Sequence, residues 1–161
     1  MVEIDAALRK EIDQILARYP AKEAGMLPVL YAMQARFGSI SDDVIDATAK
    51  ALDVPPAKVY GVLSFYTLFK KPGEGRHTLW VCSTLACSMM GAKKIHQHLC
   101  ERLKVDRNGT SPDRLFTVKK QECLAACDRA VCVQIDDDYH YNVTPDVLDG
   151  LIDAMRAQEG Q

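Results

Sequence analysis

The residues of this chain best equipped for chemistry are its six cysteines, all of which fall between Cys82 and Cys132. Four of them form two close pairs, Cys82-x4-Cys87 and Cys123-x3-Cys127. Converging thiolates suit an iron-sulfur cluster or a tetrahedral zinc ion, because soft sulfur ligands select those centres. Structural zinc sites favour about two to four residues between paired ligands, most often two, so these spacings admit zinc but favour iron and sulfide. A thioredoxin-type dithiol needs Cys-x-x-Cys, which is absent. The plain alternative is that the thiols are small buried hydrophobes.

Both pairs need scaffolding, and the surrounding pattern predicts it. His77 to Cys82 reads as a strand, Ala92 to Lys104 as an amphipathic helix through Ile95, Leu99 and Leu103, and Leu115 to Val118 as a second strand. Short strands follow at Val131 to Ile135 and Tyr139 to Asn142, joined by a solvated Asp136-Asp137-Asp138 turn. A last helix is capped by Thr144, starts at Pro145 and lines one face with Val147, Leu148, Leu151, Ile152 and Met155. A crossover helix between the first two strands implies that they run parallel, so their ends carry both cysteine pairs to one edge, where four thiolates can converge on one point. This is a thioredoxin-like layout.

The first 70 residues read as helices. Ile4, Leu8, Ile12, Ile15 and Leu16 mark the first, which stops before Tyr19-Pro20. Leu27 to Phe37, closed by Gly38, is the second, and Ser41 caps a third from Asp42 to Leu52. Pro55-Pro56 opens a fourth, with Val59, Val62, Leu63 and Tyr66 on one face. The fold class is therefore α+β: an N-terminal helical bundle over 1-70, a polar linker over 71-76, and a thioredoxin-like α/β domain over 77-161.

These features together resemble the small iron-sulfur subunit of the NADH dehydrogenase module of complex I and its relatives in NAD-dependent formate dehydrogenases and hydrogenases. The resemblance runs through Tyr19-Pro20, Met26-Leu27-Pro28-Val29-Leu30, Gln34, Phe37-Gly38, Val59-Tyr60-Gly61-Val62, Ser64-Phe65-Tyr66, Val81-Cys82, Cys87, Gly91-Ala92, Glu122-Cys123-Leu124-Ala125-Ala126-Cys127 and Thr144-Pro145. It implies a [2Fe-2S] cluster held by Cys82, Cys87, Cys123 and Cys127. It further implies an electron-transfer role beside a partner subunit that holds FMN and NAD(H), together with further iron-sulfur subunits. All-cysteine ligation then points to a low reduction potential. The chain departs from the resemblance at Ala125, where relatives often have glycine, and at Val131-Cys132, where proline commonly follows the alanine. Cys132 repeats the x4 spacing with Cys127, but the resemblance and the alternation Val131, Val133, Ile135 set it in a strand and outside the ligand set.

Other signals point to ordinary roles. His96 and Cys100 are spaced like metal ligands on a helix, yet no further ligand accompanies them there except His98, which points elsewhere, and they read as a surface histidine and a half-buried thiol. Asp136 to Asp138 lack the glycine and distal glutamate of a calcium loop. Tyr60 to Phe69 holds more large apolar residues than one helix face buries, which predicts an interface. Lys93, Lys94, Lys119, Lys120 and Arg129 lie near the cysteines in sequence and could offset cluster charge, although most read as surface residues.

A net charge of -2 with no basic stripe argues against nucleic acid. No apolar run approaches the length of a membrane span, and the N-terminus lacks a signal-like core, which predicts a cytoplasmic protein without membrane insertion, reached by a membrane only through its complex. There is no Gly-x-Gly-x-x-Gly after a strand and no Walker A motif, so hydride chemistry belongs to a partner. Two rival readings remain at this stage: a free thioredoxin-like ferredoxin shuttle, and a zinc-stabilised adaptor.

Overall fold

A computed structural model describes residues 2-106 and 108-159. They divide into two compact units, Met1–Pro72 and Gly73–Gln161.

In the N-terminal unit, helix α1 (Ala6–Leu16) begins at Asp5, whose Oδ1 accepts the Leu8 N–H at 2.8 Å. Helix α2 (Met26–Phe37) ends where Gly38 turns to φ 77°, a left-handed geometry that glycine adopts without penalty. Arg36 of α2 reaches back to Asp5 Oδ2 at 2.8 Å, tying the end of one helix to the start of another. Helix α3 (Asp42–Leu52) is capped by Ser41 Oγ on the Val44 N–H, and α4 (Pro56–Phe65) starts from Pro55. Ile12, Val29, Leu30, Met33, Val44, Leu52 and Val59 form the centre of this unit's core. Tyr66, expected on the buried face of α4, lies outside it: the backbone turns extended there and the ring is 41% exposed. Residues after α4 fold back, with Lys70 N–H on Gln34 Oε1 at 2.6 Å and Ile40 N–H on Lys70 O at 2.9 Å.

The second unit is built on a four-stranded sheet of order β2-β1-β3-β4. Strand β1 (His77–Cys82) pairs in parallel with β2 (Phe116–Gln121) and antiparallel with β3 (Val133–Ile135), which forms a hairpin with β4 (Asp138–His140). Helix α5 (Leu85–Met89), too short to announce itself by periodicity, precedes α6 (Ala92–Leu103) in the crossover. Helix α7 (Pro145–Glu159) closes the unit, with Thr144 Oγ1 accepting the Val147 N–H. The core joins Leu79 and Val81 of β1, Phe116 and Val118 of β2, Ile95, Leu99 and Leu103 of α6, and Leu148 and Ile152 of α7.

Several expectations need correction. β2 runs on to Gln121 through two lysines, because pairing with β1 and not apolarity sets its end. β3 is shorter than expected, although Cys132 O still accepts the Cys82 N–H just before it. β4 starts and stops earlier, since Asp136 takes a left-handed φ of 50° and leaves only two residues in the turn. That turn is not merely solvated: Asp136 accepts the Thr78 N–H at 2.9 Å and meets His77 Nδ1 at 2.6 Å, pinning the hairpin to β1. Val147 of α7 is 46% exposed, because it sits one residue off the Leu148-Ile152 stripe. Just before β1, Glu74 pairs with Lys119 of β2 and Gly75 N–H donates to Thr117 Oγ1.

Gly75 lies against the backbone of Phe116, where an added Cβ would stand 2.7 Å from the Phe116 carbonyl carbon. Backbone cannot step aside as a flexible side chain can. Gly75→Ala is therefore expected to destabilise the protein by about 1–3 kcal/mol, measured by denaturant unfolding.

The Asp5 carboxyl lies below its ordinary pKa because the Leu8 N–H and then Arg36 favour its charged form. A group depressed on folding adds stability above its unfolded pKa and loses it as pH falls through the folded value. The stability Asp5 contributes should thus fall away progressively as pH drops from the ordinary carboxylate pKa to below the lowered one, and Asp5→Asn should flatten that limb of a stability–pH curve.

Candidate metal centre

The site is assembled by the pairing of β1 with β2. Cys82 is the last residue of β1 and stands opposite Gln121, the last of β2, so the loops that carry the cysteine pairs leave the sheet side by side. Ser83 locks the two exits together, its N–H on Gln121 O at 2.9 Å and its hydroxyl on the same oxygen at 3.0 Å. Cys87 sits inside α5, Cys123 two residues beyond β2, and Cys127 at the start of a short 3-10 turn, Cys127–Arg129. None of the six cysteines is in a disulfide.

The thiols differ in setting. Cys82 is buried, which by itself would raise its pKa, yet the Thr84 and Leu124 amides, the Thr84 hydroxyl and the Cys87 thiol bring it below the ordinary value. Cys87 is raised, mainly by burial, although the Cys132 N–H works in the opposite direction, and Cys82 and Cys127 add to the rise. Cys123 and Cys127 are exposed, and Cys123 Sγ accepts the Ala125 N–H at 3.3 Å. Sulfur held by N–H and O–H donors is sulfur prepared to carry negative charge.

The first pair is in contact, and Cys87 feels the charge of Cys127 across the loops. Among the described residues, no group of three or more ligating side chains surrounds a single-ion position. A two-iron centre takes two protein ligands on each iron, so two pairs at one edge suit it without meeting at a point. The donor set of soft thiols fits such a cluster.

Cys132 is closer to this chemistry than its strand register suggested. It is fully buried, its N–H points to Cys87 Sγ, and burial, then Cys87 and Cys82, push its thiol up to about 11. His96, expected at the surface, is only 6% exposed. It lines a cavity of about 210 Å³ with Cys82, Ser83, Lys93 and Lys120. Cys100 packs against its ring at 3.7 Å. Lys93 and Lys120 thus stand beside Cys82, whereas Lys119 is taken up by Glu74 and the Trp80 ring, and Arg129 by Tyr141. Sequence reasoning missed Thr84 and Leu124 as donors to Cys82, and the exposed apolar set Leu85, Met89 and Met90 on and after α5. A hydroxyl two residues after a cysteine was the available signal for Thr84.

The sheet, its crossover and this paired-thiol edge define a thioredoxin-like iron-sulfur fold. The family model for thioredoxin-like [2Fe-2S] ferredoxins matches residues 12–156, and the chain belongs to that family, whose cofactor is a [2Fe-2S] cluster. It is 36% identical over 152 residues to an NADH-quinone oxidoreductase subunit of Rhizobium meliloti (strain 1021), covering 94% of this chain and 90% of that protein. It is 35% identical over 138 residues to the NADP-reducing hydrogenase subunit HndA of Solidesulfovibrio fructosivorans, covering 86% of this chain and 81% of that protein. Among solved structures, the NAD+-reducing [NiFe]-hydrogenase in its air-oxidized state superposes with a TM-score of 0.73 at 22% identity, a likeness of fold that covers 83% of this chain and 23% of that one. Among the described residues no helix is long and apolar enough to cross a membrane.

Ala125, between the second cysteine pair, has φ 55°. This is the left-handed region where a Cβ is strained and glycine is at ease. Ala125→Gly is expected to raise stability by about 1 kcal/mol in thermal unfolding of the metal-loaded protein.

Proposed function

We propose that this chain is the electron-transfer subunit of an NAD(H)-dependent oxidoreductase complex, exchanging single electrons with the FMN of a partner subunit. In this reading Cys82, Cys87, Cys123 and Cys127 hold the [2Fe-2S] cluster. The observation that carries it is the juxtaposition of the two cysteine loops at the ends of the in-register parallel strands β1 and β2.

When bound, the cluster supplies a site that takes up and gives back one electron. The protein's part is to hold, orient and shield. Cys82 and Cys87 form the inner, buried pair, fixed by β1, α5 and the amides of Thr84, Leu124 and Cys132. Cys123 and Cys127 form the exposed pair, on the side a partner can approach. Leu85, Met89 and Met90, each more than two-thirds exposed, offer an apolar rim next to that edge of the chain's own cysteine loop. In the N-terminal unit, Tyr60, Phe65 and Leu68 are likewise exposed at 63%, 78% and 49%. Such surfaces favour life in a complex over life as a free shuttle. The named relatives, both subunits of multi-subunit oxidoreductases by their names, support the same reading.

The test is anaerobic isolation with native partners, followed by single cysteine substitutions. The wild-type protein should elute with a flavin-containing subunit, carry iron and acid-labile sulfide, and give a reduced-state EPR signal. Serine at position 82, 87, 123 or 127 should change or abolish that signal, while Cys100→Ala and Cys132→Ala keep it. A colourless zinc-bearing protein, or a small species free of partners in native extract, would refute the proposal.

A further inference from the structure

Thr84 occupies the N-cap of α5 with the extended backbone of a cap, φ -89° and ψ 173°. Threonine at such a position ordinarily turns its hydroxyl onto a backbone N–H of the first turn. Here it makes no such bond. Its carbonyl accepts the Ser88 N–H, and its Oγ1 instead stands 3.7 Å from Cys82 Sγ, within hydrogen-bond range for sulfur. The chain gives up a cap that its own residue type could have made, and sets that hydroxyl against the Cys82 sulfur, which as a thiolate can only accept from it. Local rules broken in this way mark sites where something other than helix stability is served.

Cys82 Sγ faces the Thr84 and Leu124 amides and the Thr84 hydroxyl, with the Glu122 carbonyl oxygen at 3.8 Å. The two amides come from the backbone and persist whatever side chains are present. The hydroxyl is the one donor that a single substitution removes. Hydrogen bonds to cluster sulfur are among the levers that set reduction potential.

We infer that Thr84 is a positioning residue whose hydroxyl, bonded to Cys82 Sγ, raises the reduction potential of the cluster this chain carries. The inference rests on the ligand role proposed above for Cys82. One electron arrives from the reduced flavin of the partner, or from a chemical reductant in a titration. No bond forms or breaks and no proton moves. The added negative charge is shared with the thiolate sulfurs, so an O–H donor stabilises the reduced form more than the oxidised one. The hydroxyl thus eases electron entry on the Cys82 side.

The experiment uses the full chain with its cluster, titrated potentiometrically with EPR detection, alongside resonance Raman of the Fe–S stretches and thermal unfolding. Thr84→Val keeps the β-branched shape and the amide but removes the O–H, and Thr84→Ser restores an O–H. The expected result is a midpoint shifted to more negative potential and altered Fe–S stretches in Thr84→Val, near-native values in Thr84→Ser, and unchanged iron content and melting temperature in both. An unshifted midpoint in Thr84→Val, or a serine variant that behaves like valine, would overturn the inference. So would loss of the cluster from both Thr84→Val and Thr84→Ala, because the hydroxyl would then serve retention and not potential. Cys82→Ser separates this from the ligand proposal: a native signal in that variant sinks the ligand set, whereas an altered one beside an unshifted Thr84→Val sinks only the role of Thr84.

Discussion

The parallel pairing of β1 with β2 places Cys82 opposite Gln121, so that two loops far apart in the chain leave the sheet as neighbours, and the site in the second unit follows from that register. A one-residue slip would reverse the faces of every side chain on one strand and carry the cysteine pairs apart. The register is held from several directions at once. Leu79, Val81, Phe116 and Val118 are buried under α6 and α7, Ser83 bonds to Gln121 O, and Asp136 pins the β3-β4 hairpin to the start of β1. Gly75 lets the entering chain lie against the Phe116 backbone with no Cβ between them.

On that scaffold the two cysteine pairs are unequal by construction. The first lies at the end of a buried strand and inside α5, with donors drawn from three segments of chain. The second lies on an exposed loop whose turn forces Ala125 into a left-handed conformation. Burial shields the first pair from water, and exposure leaves the second open to it. Cys132 completes the inner wall through its backbone, giving an N–H to Cys87 and taking one from Cys82, while its own thiol stays buried.

The N-terminal unit holds no cysteine. Its four helices are specified by strong local signals: the Asp5 and Ser41 caps, the Pro55-Pro56 start and the Gly38 stop. Having built a closed core from Ile12, Val29, Met33, Val44 and Val59, it still leaves aromatic residues of the segment after Pro56 on its surface.

Local patterns along the chain were enough to specify the helices of the first unit, the strand ending at Cys82, the amphipathic α6 and α7, and the identity of the two cysteine pairs. Each of these is written in caps, periodicity or spacing. Other features emerge only on folding, where neighbours outweigh local preference. β2 extends through Lys119 and Lys120 because β1 offers it partners. Asp136 becomes a clamp on β1 because the hairpin folds back there, and His96 is buried because α6 sets that flank against the end of β1. The ring of donors around Cys82 comes from Thr84 beside it and Leu124 from the distant loop, which no spacing along one chain could display. Such contacts arise only when segments remote in sequence are brought together, and the parallel pairing that does so is a property of the folded sheet.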